Sequence, residues 1–189
     1  AESDIWMRES DGLYEYIAVY VDDLLIAARK PEEIVSKLQE EHKFKLKGVG
    51  PLTYHLGCDY FRDEDGTLCY GPRKYIVKLM DQYESMYGCK PKLYTSPLEK
   101  GDHPEIDTSE ELDEEGIKRY QTMIGCLQWA VSLGRFDIQT ATMTMSRYCA
   151  APQIGHLHRL KRMYSYLRKF SSAAICAGIL GFSIMISCG

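Results

Sequence analysis

The spacing of apolar and polar positions changes several times along the chain, and each change marks an element. Residues 14–21 (Tyr-Glu-Tyr-Ile-Ala-Val-Tyr-Val) are aromatic and β-branched, which suits a strand. Residues 24–28 form a second apolar run of strand length, and Asp22-Asp23 separates the two. Pro31 opens a helical pattern in which Ile34, Val35, Leu38 and Phe44 recur near helical spacing, with Glu32 and Glu33 at the favourable N-terminal end. Residues 46–51 contain two glycines and predict a turn. Residues 54–61 and 67–70 then read as strands joined through Asp65-Gly66, a strong hairpin signal. From 73 to 87 the helical period returns, carried by Ile76, Val77, Leu79, Met80 and Tyr83.

Residues 99–115 differ in kind. They hold Glu99, Asp102, Glu105, Asp107, Glu110, Glu111, Asp113, Glu114 and Glu115, and only Ile106 and Leu112 are large and apolar. Such a stretch predicts an exposed, partly disordered linker over 99–116. Residues 117–151 look helical, with Leu127, Trp129, Ala130, Val131, Ile138, Ala141 and Met145 as core candidates and a break at Gly134 to Asp137. A last helix covers 156–169 and carries Arg159, Lys161, Arg162, Arg168 and Lys169 without an acid. The tail, 171–189, has no charge. Its length permits a membrane helix, but its serines and glycines weaken that reading in favour of an ordinary hydrophobic segment or a mis-framed end.

Composition narrows the class. The chain is 45% hydrophobic and 26% charged, near the average for soluble domains, which excludes collagen-like, wholly disordered and multi-span membrane classes. The length allows one domain or slightly more. The formal net charge of −4 argues against a strongly basic nucleic-acid binder. Outside 99–115, however, bases outnumber acids, so the body is mildly basic and compatible with a polyanion partner. Seven widely spaced cysteines with no C-x-x-C pair predict reduced intracellular thiols, with neither a disulfide framework nor a structural zinc site. Residues 1–10 carry three acids and no apolar run, so no secretory leader is expected.

The sharpest chemical signal is Asp22-Asp23 between two apolar strands. Adjacent carboxylates at a strand tip repel unless a cation neutralises them, and Mg²⁺ is the hard cation that takes such oxygens while keeping positions open for phosphates. A metal pair held this way can activate a 3′ hydroxyl and stabilise a leaving pyrophosphate. The plain alternative is that any hairpin favours Asp in its turn. A receiver domain also begins with an apolar strand, Asp-Asp and a helix. Asp59, Asp63 and Asp65 could supply its phosphoacceptor, but the later strands it needs are missing. His156 and His158 lack partners for a metal site, and Trp129 and the fourteen tyrosines suit core and interface better than base stacking.

In order along the chain stand Asp4-Ile5-Trp6, Tyr20-Val21-Asp22-Asp23-Leu24-Leu25-Ile26-Ala27 and Gly50-Pro51-Leu52-Thr53-Tyr54-His55-Leu56-Gly57. Tyr75-Ile76 through Leu79, Thr95-Ser96-Pro97-Leu98 and Tyr120-Gln121-Thr122-Met123-Ile124-Gly125-Cys126-Leu127 follow, then Arg135-Phe136-Asp137-Ile138 and the run from His156 to Leu167. Together these resemble the reverse transcriptase of copia-type retrotransposons, from its third catalytic motif onward. The third block is similar to that family's "Gly-x-Leu-x-x-Phe-Leu-Gly". Each block is weak alone, and their order makes the resemblance specific over about residues 4–170.

The resemblance implies an α+β fold: a partial antiparallel palm sheet with β-hairpins in 1–98, the acidic linker, and a helical thumb- or connection-like region in 117–170. It implies an RNA-directed DNA polymerase fragment whose family adds deoxynucleotides to a primer 3′ end with Mg²⁺. Asp22 would be the metal ligand and Asp23 its weaker neighbour. Tyr20 and Val21 would lie near the primer terminus, Leu56 and Gly57 in the primer grip, and Arg159, Lys161 and Arg162 would contact phosphates, unless they simply form a solvated helix face. Partners would be an RNA or DNA template-primer, deoxynucleotides, the upstream polymerase segments and a downstream ribonuclease H, in an intracellular (cytoplasmic or nuclear) setting. The family's fingers and first palm segments, with the other metal-binding Asp, are absent from this chain, so residues 1–189 alone are expected to be inactive. The alternative is a non-catalytic remnant that at most binds nucleic acid.

Overall fold

The computed structural model describes residues 4–177 and 183–188. The fold is α+β, with antiparallel pairing throughout the larger sheet. The chain divides into two compact units: residues 1–55, 60–69 and 176–189, and residues 56–59 and 70–175.

The first unit is built on β1 (Ile5–Ser10), β2 (Leu13–Tyr20), β3 (Asp23–Ala28), α1 (Pro31–Glu40), β4 (Lys47–Pro51) and β9 (Ser183–Cys188), with sheet order β1-β2-β3-β9-β4. Asp11 and Gly12 join β1 to β2 with φ of 50° and 73°, the left-handed conformation of a tight hairpin turn. Strand β1 has no counterpart in the hydrophobic reading, although Asp11-Gly12 is the same turn signal used further along. Alternation sorts the sheet into two faces. Ile17, Leu24, Ile26 and Ala28 join a small core with Ile34 and Val35 of α1. Pro31 begins that helix, and Glu32 and Glu33 lie in its first turn. On the opposite face the register aligns Met7 with Tyr16 and Tyr20 with Asp23, and Ile5, Met7, Tyr14, Tyr16 and Tyr20 stay exposed.

A second sheet has the order β5 (Tyr54–His55), β6 (Cys58–Arg62), β7 (Leu68–Gly71), β8 (Ile175–Ala177). The single strand expected over 54–61 is interrupted because Leu56 and Gly57 take φ of 47° and 86° and reverse the chain. The uncharged tail supplies strands β8 and β9. Among the described residues no helix is long and apolar enough to cross a membrane.

The second unit packs α2 (Arg73–Tyr87), α3 (Glu114–Ser132), α4 (Gln139–Ser146) and α5 (Ile154–Lys169) around Ile76, Leu79, Tyr120, Met123, Leu127, Met145, Leu160, Met163 and Leu167. Helix α2 stops at Gly88, whose φ of 68° suits a residue without a Cβ. Helix α3 starts at Asp113, whose Oδ1 accepts the Gly116 N–H at 2.8 Å. The break expected near Gly134 is present: φ reaches 104° there, and an added Cβ would come within 3.1 Å of Ile175. Val77 and Trp129, expected in the core, are about half exposed, because the buried stripes of their helices run through Ile76 and Leu79 and through Leu127 and Ala130 instead.

The expectation of reduced thiols throughout is overturned at one pair. Cys69 and Cys176 form a disulfide across 107 residues. Neighbouring strands β7 and β8 bring the two together, which sequence spacing cannot reveal. Cys58, Cys89, Cys126 and Cys149 are free.

Candidate metal centre at the carboxylate hairpin

Tyr20 pairs with Asp23, so Val21 and Asp22 alone make the turn between β2 and β3. Val21 has φ of 53° and is 82% exposed. A β-branched residue is a genuine outlier there, at a cost of about 1–3 kcal/mol. No packing of the Val21 side chain offsets that cost. The turn delivers Asp22 to the tip, where its carboxylate is exposed and pairs with none of the described residues. Asp23, the first residue of β3, is partly covered, and its Oδ2 lies 3.3 Å from Nδ1 of His55. His55 is buried and meets the Tyr20 ring edge-on, with centroids 6.2 Å apart. The two carboxylates are therefore unequal: one is open and one is engaged. His55 was not among the residues singled out. Its signal was the imidazole standing where the resembled block has Phe.

The other acids raised by the sequence are committed elsewhere. Asp59 accepts the Lys74 N–H at 3.0 Å and pairs with Lys74 Nζ at 3.0 Å, at the start of α2. Asp63 Oδ1 accepts the N–H groups of Asp65 and Thr67, closing the turn before β7. Of the residues expected in a primer grip, Leu56 and Gly57 form the reversal between β5 and β6. An added Cβ on Gly57 would sit 3.2 Å from Leu133.

Two basic residues of α5, Arg159 and Arg162, are engaged with the acidic segment. Arg159 donates from Nε and Nη2 to both oxygens of Asp102 at 2.8–3.0 Å, and from Nη1 to Asp107. Hydrogen bonds from Ser109 and Arg159 hold the Asp107 carboxyl well below the usual carboxylate range, and Asp102 and Asp107 push the Arg159 pKa up. Arg162 donates to Glu99 at 2.8 Å and to Ser96 at 3.1 Å, and stacks over Tyr94. Lys161 lies 4.1 Å from the Tyr87 ring centre, and burial and Arg119 lower its pKa. Residues 99–116 are thus pinned to α5 rather than trailing free: Pro104 is buried, and Glu111 bridges to Gln153. Lys90, Lys92, His158 and Lys161 converge, beside the ion-paired Arg159–Asp102–Asp107 and Arg162–Glu99 groups, on an open cleft of about 610 Å³ in this unit. His156 is buried and satisfied: Nδ1 accepts the Gln153 N–H, and Nε2 bonds to the Pro104 carbonyl at 2.9 Å.

No family model matches the chain, and no solved structure matches it. It is 30% identical over 176 residues to the putative transposon Ty5-1 protein YCL074W of Saccharomyces cerevisiae, covering 93% of this chain and 55% of that protein. It is 27% identical over 180 residues to the retrovirus-related Pol polyprotein from transposon TNT 1-94 of Nicotiana tabacum (90% and 13% coverage). With the corresponding polyprotein from transposon RE1 of Arabidopsis thaliana it shares 30% over 168 residues (88% and 11%). The chain therefore spans about half of the first relative and roughly a tenth of the two polyproteins, and along nearly all its length it is similar to transposon Pol sequences.

Proposed function

We propose that this chain is the part of a copia-type reverse transcriptase that carries the catalytic carboxylate hairpin. The observation that carries the reading is the strained two-residue turn at Val21-Asp22, which presents an open carboxylate beside an engaged one, in a chain similar to transposon Pol polyproteins. Strain held at an exposed tip without packing in return is characteristic of functional turns.

In this reading the sheet of β1 to β3 backed by α1 is the partial palm, and the helices of the second unit are thumb or connection. Asp22 is the main ligand for Mg²⁺ and Asp23 its neighbour. An open carboxylate is the hard donor Mg²⁺ requires, but two carboxylates at one tip are too few to close a site, so a further Asp must come from polymerase segments outside residues 1–189. The metal supplies charge stabilisation to the attacking and leaving oxygens. The chain's own contribution is to hold Asp22 in the two-residue turn between β2 and β3, with His55 restraining Asp23. Tyr20 and Val21 face the primer terminus, and Leu56 and Gly57 belong to the primer grip. Template-primer and deoxynucleotides are the substrates, a ribonuclease H is the downstream partner, and the reaction belongs in the cytoplasm or nucleus. Arg159 has a structural role. Arg162, paired with Glu99, shares that role, and Lys161, together with Lys90 and Lys92, keeps a phosphate-facing role at the cleft.

The second reading, a remnant that binds nucleic acid without catalysis, is favoured by the lysines Lys90, Lys92 and Lys161 at the cleft alone. Primer extension on a ribonucleotide template by the intact polymerase separates the two. Activity that is lost in Asp22→Asn supports the enzyme. Template binding without extension, unchanged in that variant, supports the remnant.

A further inference from the structure

We propose that Cys69, Cys176 and Asp63 form a redox-gated zinc site, closed as a disulfide when oxidised and open to a soft divalent cation when reduced. Among the described residues theirs is the only group of three or more His, Cys, Asp or Glu side chains whose ligand atoms all lie within 4.8 Å of one another. Asp63 is already oriented. Its Oδ1 is taken by the N–H groups of Asp65 at 3.1 Å and Thr67 at 2.8 Å, which leaves Oδ2 facing Cys69 Sγ at 3.9 Å. Cys69 is fully buried on β7, and Cys176 is exposed on β8, so reductant and metal reach the pair from one side.

A dithiol reductant transfers two electrons to the disulfide. The S–S bond breaks, two cysteine thiols form, and the reductant leaves as its own disulfide. Zn²⁺ then displaces both thiol protons and binds two thiolates and the Asp63 carboxylate, with water in the fourth position. Thiolates select a soft ion, which separates this site in kind from the hard, carboxylate-only tip at Asp22. Either closure, disulfide or metal, ties β8 to β7. The chain leaving β8 supplies β9, which lies directly beside β3 of the carboxylate hairpin.

The test uses residues 1–189 with Co²⁺ as the spectroscopic probe, before and after reduction with a water-soluble phosphine. The expected result is one Co²⁺ per chain after reduction only, with thiolate-to-cobalt charge-transfer absorption and a tetrahedral visible spectrum. Cys176→Ser, at an exposed position, should abolish that spectrum. Asp63→Asn should weaken binding at least tenfold, while Cys58→Ser leaves it unchanged. Independently of any variant, Zn²⁺ should protect the exposed Cys176 of the reduced chain from alkylation relative to Cys89. Equal binding by oxidised and reduced chain, an unchanged spectrum in Cys176→Ser, or no thiolate band in the reduced protein would each overturn the proposal.

Discussion

His55 Nδ1 stands 3.3 Å from Asp23 Oδ2, beneath the tip that exposes Asp22. The buried imidazole gives the second carboxylate a partner and leaves the first without one. Removing the ring in His55→Ala should destabilise the first unit by about 2 kcal/mol, as for a buried side chain of that size partly backfilled. His55→Phe, which keeps the volume, should stay within about 1 kcal/mol of the parent. Urea denaturation of both variants checks this. Equal losses would mean that packing is not what His55 contributes.

Val21→Gly should stabilise the hairpin by about 1 kcal/mol or slightly less, because glycine accepts φ of 53° while valine is strained there. The entropy glycine adds to the unfolded chain offsets part of the gain. A denaturation midpoint lower than the parent's would show that the valine conformation is not strained.

Arg159 anchors the acidic segment, so Arg159→Ala should destabilise the second unit by about 2–4 kcal/mol, since it strands two largely buried carboxylates. It should also make residues 99–116 cleavable in limited proteolysis, where the parent resists. The stability has a pH signature. Asp107 is depressed in the folded state, first by Ser109 and then by Arg159, so its contribution is complete above about pH 4, the unfolded carboxylate value, and is lost as pH falls through the folded value. Thermal melts from neutral pH down to acid should show this loss in the parent and a shallower one in Ser109→Ala. Because Arg159 is spent internally, its removal should leave the salt dependence of template-primer binding unchanged, whereas Lys161→Ala should reduce the slope by roughly one unit.

How much of this was legible in the sequence depended on the range of the interaction. The period of 73–87 marked the full extent of α2, and the glycine at 134 marked a real break. Val77 and Trp129 were misplaced because an apolar residue at the border of a helical stripe carries no mark of which side it takes. Charge counting at 99–115 suggested a solvated segment, since composition counts charges and not their partners, here Arg159 and Arg162 on α5. The Cys69–Cys176 pairing and the insertion of β9 between β3 and β4 join residues more than a hundred positions apart, and no local pattern encodes them. At the candidate site, Asp22 and Asp23 stood out as a motif. The resemblance ranked Asp23 as the weaker neighbour, but the contact that sets it apart was not legible, because it depends on His55 being folded beneath it.

Residues 1–189 alone should show no primer extension and only weak Mg²⁺ binding, because the hairpin offers just two carboxylates and the second already has a neighbour. Titration calorimetry giving tight one-to-one Mg²⁺ binding would mean that another acid joins the site. Asp59 would be examined first, through loss of its pairing with Lys74.

The most direct test of the whole account is single-turnover primer extension by the intact polymerase containing this segment, comparing the parent with Asp22→Asn. The substitution keeps the shape and removes the charge at an exposed tip, so folding should survive, and circular dichroism would verify it. The expected result is loss of nearly all turnover with template-primer affinity retained, because the interaction removed is one made in the transition state. Near-normal turnover in a correctly folded Asp22→Asn polymerase would contradict it.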